Sequence, residues 1–238
     1  MKNLNITALI TARGSNSLER KHLRLVSGKP LIEYPFMIAQ KCHSFTNFYV
    51  SSDDVEILKI GKQYGFTPIK RPVELSTSTA LHTDAIKHAL KTMEQDSVRP
   101  DILVVILGNT VYLKSDWIED SIKIIKTNSY LSSVVPVYLD QDHHPYRAKT
   151  LDKNGLLNPY FPKMKNISTN RQDLPINYFL CHNFWTLNVK KSILQTRKGQ
   201  PPWTFLGRKI YPLILDNHLD VHSEEDIVLC EHWLAKNK

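Results

Sequence analysis

Long apolar runs are missing from this chain. No stretch approaches the roughly 20 residues of a membrane helix, and no signal-peptide pattern opens it. The expectation is a cytoplasmic protein without membrane contact. Cysteine is scarce: Cys42, Cys181 and Cys230 are odd in number, far apart and outside any C-x-x-C pattern. That argues against a zinc ribbon or a disulfide framework and leaves reduced thiols. Basic runs are missing as well. The net charge of +8 suggests a phosphate-bearing or otherwise anionic partner. The lysines and arginines are nevertheless scattered, and no nucleic-acid module is present. A small anionic substrate fits that charge at least as well, and no nucleic-acid partner is expected. Internal repeats and low-complexity segments are absent too.

What is present is an ordinary globular composition. A chain of 238 residues can bury a full core, and 42% hydrophobic with 23% charged residues sets it apart from disordered sequences. The chain is organised around Ile6 to Ile32. Ile6 to Ile10 reads as a buried strand. A polar loop, Ala12 to Arg20, follows with one Gly, two Ser, an Asn and two Arg, and Lys21 comes next. Gly28-Lys29-Pro30-Leu31-Ile32 then reads as a turn into a helix over Pro30 to Lys41. Backbone N–H groups and fixed cations at the C-terminal end of a strand are a way to hold phosphates.

Downstream, the pattern strand, loop, helix repeats. Strands are predicted at Phe48–Ser51, Phe66–Lys70, Ile102–Leu107 and Ser132–Tyr138. Helices are predicted at Val55–Tyr64, Thr83–Met93 and Ser115–Thr127, the last with Ser115 as its cap. This order predicts an α/β fold, a doubly wound and mostly parallel sheet with right-handed crossovers. Ligands in such sheets bind at the C-terminal ends of strands. Ala12–Lys21, Ser51–Asp54 and Gly108–Thr110 therefore belong on one rim. From residue 140 to 178 the pattern breaks into a segment rich in Pro, Asn, His and basic residues, too long for a plain connection. It reads as an inserted arm within a single domain spanning 1–238. Tyr178–Leu187 and Lys209–Leu215 return to strand character. Ser223 opens a final helix with the spacing of a capping box to Asp226.

The residues alone leave alternatives open. Arg13 and Lys21 are phosphate-loop cations or plain surface charges. Arg71 is a ligand contact or a partner for Glu74. His222 is a helix-cap neighbour, a metal ligand or a proton-transfer group. His143 and His144 have no third ligand at metal spacing and read as packing or capping residues.

Several fragments then assemble in one order. Ala12-Arg13 with Ser17 and Lys21 is followed by Gly28-Lys29-Pro30-Leu31-Ile32, Val50-Ser51-Ser52-Asp53-Asp54, Arg71-Pro72-Val73-Glu74-Leu75 and Asp84 to Leu90. Later come His143-His144-Pro145, Arg171-Gln172-Asp173-Leu174-Pro175 and Asp220 to Asp226. Over about residues 6 to 228 this set resembles the acylneuraminate cytidylyltransferases, the CMP-sialic acid synthetases. That family includes enzymes for bacterial nonulosonates such as legionaminic and pseudaminic acid.

The resemblance implies a nucleotide-diphospho-sugar transferase-like fold with a protruding dimerisation arm. It implies a nucleotidyltransferase that joins CMP from CTP to an acidic 2-keto sugar and releases pyrophosphate, with Mg²⁺ as cofactor and as a homodimer. By the same resemblance, Arg13 and Lys21 approach the triphosphate. Ala12, Ser15, Asn16 and Ser17 supply loop contacts, Arg71 lies near the base, and Asn109 offers an amide. Arg147, Arg171 and Gln172 face the sugar acid, Asp220 holds magnesium, and His222 stands where a second metal Asp is usual. In the family, the arm of one subunit can complete the other's sugar pocket.

The departures from the family pattern cluster at this site. The phosphate loop is about one residue shorter, and Asn16 or Ser17 replaces a lysine. Glu19 stands near the usual proline, to point away or to pair with Arg20. Leu107-Gly108-Asn109-Thr110 replaces a Gln-Pro-Thr-Ser motif, and Cys181-His182 replaces Asn-Gly. His222 offers nitrogen where magnesium prefers oxygen. Two further readings follow: another acceptor (a sugar phosphate or phosphonate) or NTP, or a non-catalytic nucleotide-binding member.

Overall fold

A computed structural model describes residues 4–14, 18–216 and 218–237. The first strand, β1 (Ile6–Thr11), is buried along its whole length. Ile6, Ala8 and Ile10 point to one face of the sheet and Leu9 to the other, as period-two alternation requires. A two-residue ribbon follows, β2 (Leu25–Val26) with β3 (Lys29–Pro30), and then α1 (Glu33–Gln40). The predicted helix from Pro30 starts three residues later because Lys29 and Pro30 pair with Val26 and Leu25. Gly28 turns that ribbon with φ +80°, a backbone region that favours glycine.

Next come β4 (Asn47–Ser52), α2 (Val55–Gln63), β5 (Thr67–Lys70), α3 (His82–Gln95), β6 (Ile102–Leu107) and α4 (Ser115–Thr127). Asp54 caps α2 by accepting from the N–H groups of Glu56 and Ile57. Lys114, not Ser115, occupies the cap position of α4, and Ser115 is its first helical residue. The chain continues through β7 (Ser133–Leu139), the arm hairpin β8 (Lys149–Leu151) and β9 (Leu157–Pro159), β10 (Tyr178–Leu180), β11 (Phe184–Asn188) and β12 (Ile210–Ile214). It ends in α5 (Glu224–Lys236), where Ser223 and Asp226 form the expected capping box.

The main sheet has eight strands. Strands β5, β4, β1 and β6 are parallel neighbours, and β11 then pairs antiparallel with β6. Strand β7 takes both β10 and β11 along one edge and β12, parallel, along the other. The stretch predicted as one strand over Tyr178–Leu187 is thus broken at Cys181-His182-Asn183, where the chain moves across from β7 toward β6.

Helices cover both faces, which makes the sheet doubly wound. On one face Phe36, Ile57, Ile118 and Ile122 from α1, α2 and α4 pack against Ala8, Ile10 and Val104. On the other, Ile86, Ala89 and Met93 of α3 pack against Leu9, Leu103 and Val105. Helix α5, through Ile227 and Cys230, and Val221 just before it seal the β2–β3 ribbon. Between β7 and β10 the chain leaves the sheet. All residues of β8 and β9 are exposed, as are Leu156 and Tyr160.

Candidate active site

The parallel strands end together. Thr11 is in register with Ser51 and with Leu107, and Ser52 with Lys70. Beyond the strands the ladder runs on for one more bond on each side. The Ala12 N–H donates to Ser51 O at 3.1 Å and the Gly108 N–H to Thr11 O at 2.9 Å. Gly108 is needed for this approach. A Cβ there would lie 2.7 Å from Ile32 Cδ1 and 2.8 Å from Ala12 Cβ, so a side chain would push the loop after β1 off β6.

These strand ends position the loop side chains. The Gly14 N–H donates to Asp53 Oδ1 at 3.0 Å, which ties the loop after β1 to the turn after β4. Arg13 reaches across the rim and donates from Nη1 to Thr77 O at 2.9 Å. Arg71, at the end of β5, is buried and donates to Ser51 Oγ at 3.2 Å and Ser51 O at 2.7 Å. It therefore uses Ser51 rather than Glu74. Arg20 points away and pairs with Glu56 at 2.5 Å, not with Glu19.

Inside the rim lies a cleft of about 280 Å³, lined by Arg13, Lys21, His22, Arg71, His82 and Asn109 among others. Lys21 is only 6% exposed. Among the described residues its ammonium has neither a hydrogen bond nor an ion pair. A buried cation without a partner is costly unless an anion completes it. Burial pulls the Lys21 pKa below the ordinary lysine range. The charge of Asp220 works against that pull, Arg13 adds to it, and Asp226 opposes it. Arg71 is held down to about 10, chiefly by burial, and stays charged at neutral pH.

Two histidines in the wall are neutral. Burial drives both His22 and His82 down to about 3. The His22 Nδ1–H donates to Arg13 O at 3.0 Å and so fixes the backbone that carries the arginine. His82 Nε2 shares a 3.0 Å hydrogen bond with Thr11 Oγ1. A pH dependence follows from His22. Its folded pKa lies below the unfolded value near 6.5, so the unfolded chain takes up a proton that the folded one refuses. Its contribution is complete above pH 6.5 and is lost as pH falls toward 3, by about 2 kcal/mol at pH 5. Urea unfolding across that range is expected to show the loss. His22→Asn, which keeps a donor for Arg13 O, is expected to reduce the slope, the remainder coming from His82. An unchanged slope would show that His22 does not set it.

The C-terminal side of the cleft comes from far along the chain. Thr110 bridges antiparallel to Asp220, and the Val221 N–H donates to Asn109 O at 3.0 Å. The Asn109 side chain lines the cleft, but its Nδ2 donates to Val221 O at 3.5 Å, so the amide also helps to fasten this segment. Asp220 Oδ2 accepts from His222 Nε2 at 2.6 Å. Two more histidines feel the field of Asp220. His182 lies between Trp185 and Trp203, with centroids 6.1 and 5.4 Å away, and His218 stacks on Tyr138 at 3.6 Å. Burial lowers the pKa of both, and Asp220 partly restores it.

The fold therefore brings Ala12, Arg13, Lys21, Arg71 and Asn109 to one cleft; Asp220 and His222 do not line it, although the charge of Asp220 acts on Lys21. Ser15, Asn16 and Ser17 lie outside the described residues. Arg147, Arg171 and Gln172 are exposed on the arm and do not line the cleft of their own chain. Arg171 pairs there with Asp142 at 2.7 Å. His144 caps a turn of the arm, accepting from the Tyr146 N–H and donating to Pro175 O. Sequence reasoning placed Ser51 on the rim and missed His82, which the start of α3 brings to Thr11.

Whether magnesium fits can be judged from the donors present. Among the described residues no group of three or more His, Cys, Asp or Glu side chains could hold an ion. Asp54 is committed to the α2 cap and Asp226 to the α5 cap. Asp220 remains, with one oxygen engaged by His222. Magnesium bound with a nucleotide uses one or two carboxylates together with phosphate oxygens and waters. The donor set fits such a nucleotide-borne ion and does not form a closed protein cage.

Three comparisons bear on this arrangement. The sequence model of the cytidylyltransferases matches residues 7–219. The CMP-N,N'-diacetyllegionaminic acid synthase of Legionella pneumophila is 27% identical, over 99% of this chain and 98% of that one. The pseudaminic acid cytidylyltransferase of Campylobacter jejuni is 28% identical, over 64% of this chain and 74% of its own. Among solved structures, a CMP:2-keto-3-deoxy-manno-octonic acid synthetase complexed with CTP superposes with a TM-score of 0.73. It covers 98% of this chain and 100% of its own at 14% identity, a likeness of fold.

Proposed function

The chain belongs to the cytidylyltransferase family, and from that premise we propose that it transfers CMP from CTP to the anomeric hydroxyl of an acidic 2-keto sugar, with release of pyrophosphate. The observation that carries the reading is Lys21, a largely buried side chain that lines the cleft beside Arg13 and Arg71 and whose ammonium has no hydrogen bond or ion pair among the described residues. Such a cleft is electrostatically incomplete without a polyanion.

In this reading the acceptor oxygen attacks the α-phosphorus. Its bond to phosphorus forms as the α–β bridging P–O bond breaks. The hydroxyl proton passes to solvent, and the electron pair leaves with pyrophosphate. Lys21 and Arg13 hold the triphosphate and offset the charge that grows on the leaving group. Arg71, fixed by Ser51, holds the nucleoside side. Asp220 would hold the divalent ion, which supplies further charge neutralisation at the phosphates when bound.

The arm belongs to the same proposal. Its exposed Leu151, Leu157 and Tyr160 suit pairing with a second copy. Arg147, Arg171 and Gln172 would then reach the partner's acceptor pocket, where a guanidinium fork suits a carboxylate. Sedimentation is expected to give a dimer that Leu157→Asp converts to monomer, and a wild-type monomer would remove this part. No helix among the described residues is long and apolar enough to cross a membrane. The cytoplasm, where CTP is made, is the proposed location.

The test is pyrophosphate release with CTP, UTP, GTP and ATP against a set of 2-keto sugar acids and sugar phosphates. Release with CTP and one acid supports the reading. Release only with a sugar phosphate or another NTP moves the protein to a different acceptor or nucleotide. CTP binding without release across the panel points to a binding protein.

A further inference from the structure

We propose that the groove beside the C-terminal half of α5 is a second ligand site, which takes a fatty acid with its chain along Trp233 and its carboxylate at Lys29, Lys41 and Lys114. This goes beyond the nucleotidyl-transfer reading and does not depend on it.

The groove shares no lining residue with the cleft, and its volume is about 680 Å³ against about 280 Å³. Helix α1 supplies Tyr34, Met37 and Ile38, the loop after β6 supplies Leu113, and α5 supplies Trp233 and Leu234. Trp233 is held by stacking on Tyr112, with ring centroids 4.6 Å apart. On its other side lies a second hollow of about 400 Å³, lined by Tyr112, Trp117 and Leu215. The two hollows share Lys114, Trp233 and Asn237. Met37, Ile38, Tyr112, Trp117, Trp233 and Leu234 are each only partly buried. Adjacent apolar side chains from α1, α4, α5 and one loop thus leave a common surface uncovered, and such surfaces mark binding sites.

Charge and shape choose the occupant. Lys29, Lys41 and Lys114 line the larger hollow against one acid, Asp116, and Lys114 and Lys236 line the smaller against Asp216. All four lysines are exposed, and none has an ion pair among the described residues. Lys114 leans over the apolar wall, its Nζ 5.5 Å from the centroid of the Trp117 ring. Apolar walls under an unpaired cationic rim complement an amphipathic anion. Hollows of several hundred cubic ångströms suit a small molecule, whereas a protein partner needs a broad face. Trp233 walls both hollows, so an unbranched chain can bend round it from one to the other, which a rigid ring system cannot. A single carboxylate on such a chain meets both requirements. The adaptable side chain of Met37 suits a flexible guest as well.

The two parts of the ligand do different work. Exposed ion pairs add little affinity, so binding strength comes from the chain and the preference for an acid from the lysines.

The experiment is calorimetry on the full chain with octanoate and dodecanoate, each below its micelle concentration. One saturable site is expected. Each buried CH₂ is worth about fourfold in affinity, so dodecanoate should bind about tenfold or more tighter than octanoate. Dodecanol, with the chain but no charge, is expected to bind about fivefold or more weakly than dodecanoate. Lys41→Glu/Lys114→Glu reverses two exposed rim charges and alters nothing in the cleft. It is expected to weaken dodecanoate by about fivefold or more and to leave dodecanol unchanged. Bromine on the chain locates the site, because it quenches a tryptophan it touches. Trp117→Phe/Trp233→Phe keeps two rings in the groove and is expected to abolish quenching by 12-bromododecanoate, while Trp203→Phe keeps it.

Absence of saturable binding, equal affinity for dodecanol, unchanged affinity in the rim variant, or quenching that survives the double tryptophan variant would each overturn the site. CTP titration of the same samples keeps the two proposals apart. CTP binding without dodecanoate binding removes this site alone. Dodecanoate binding without CTP binding removes the functional reading and leaves this site standing.

Discussion

Lys21→Met is expected to lower kcat by about 10²–10³-fold, the usual effect of deleting one preorganised charge aimed at a developing oxyanion. It is also expected to raise the KM for CTP, with the KM for the sugar acid little changed. Methionine keeps the unbranched stem, so packing at this 6% exposed position is retained. Stability should therefore hold or rise, because the variant no longer carries a partly buried ammonium that has no partner among the described residues. That combination separates a catalytic role from a structural one: activity falls while the thermal midpoint does not.

The pH profile is a second signature. Burial lowers the Lys21 pKa, so the lysine loses its charge at a lower pH than an exposed lysine would. The kcat/KM for CTP reports the free enzyme. It should fall on the alkaline side earlier than an ordinary lysine predicts, and that limb should vanish in the variant. Full turnover in Lys21→Met, or an alkaline limb that persists, would show that the loop holds no phosphate.

How far the sequence carries the structure depends on which interaction decides each element. Ile102–Leu107 and Ser115–Thr127 have the predicted bounds because their signals are local. One is a pure β-branched and leucine run, the other an amphipathic helix with Asp116 in its first turn. The β10–β11 break carries no such signal. It arises because β10 must pair with β7 while β11 must reach β6, and the Leu107 N–H finds Asn183 O at the crossing. That Arg13, Lys21 and Arg71 share one cleft was legible because loops at the strand ends meet on one rim. His82 was not, since its approach to Thr11 depends on where α3 starts. Gly108 replaces a motif of the resembling family, and its reason shows only in the 2.8 Å approach of a Cβ to Ala12. The arm residues could be named from sequence, but their place relative to the cleft depends on assembly. Arg171, paired with Asp142 on the arm, illustrates this.

Asp220→Asn is expected to have an effect as large as that of Lys21→Met, by two separable routes. Asparagine is isosteric and can still accept a hydrogen bond from His222, so the Thr110 bridge should hold. What disappears is one negative charge. The loss of the carboxylate as an ion ligand lowers kcat at every pH, by about 10²–10³-fold on the scale of lost transition-state charge stabilisation.

The second route runs through Lys21. The charge of Asp220 works against burial and keeps the Lys21 pKa from falling further. Removing that charge lowers the pKa, so the variant should lose its alkaline activity at a lower pH than wild type. An effect on the ion alone would scale the profile without moving it. Displacement of the limb therefore reports the field at Lys21, and the vertical drop reports the ion. In the double variant Lys21→Met/Asp220→Asn the limb has no lysine left to report. The combined loss should be smaller than the product of the single losses, because both residues serve the same transferring phosphate. A limb that stays in place in Asp220→Asn, together with strictly multiplicative losses in the double variant, would mean that the two residues act on different steps.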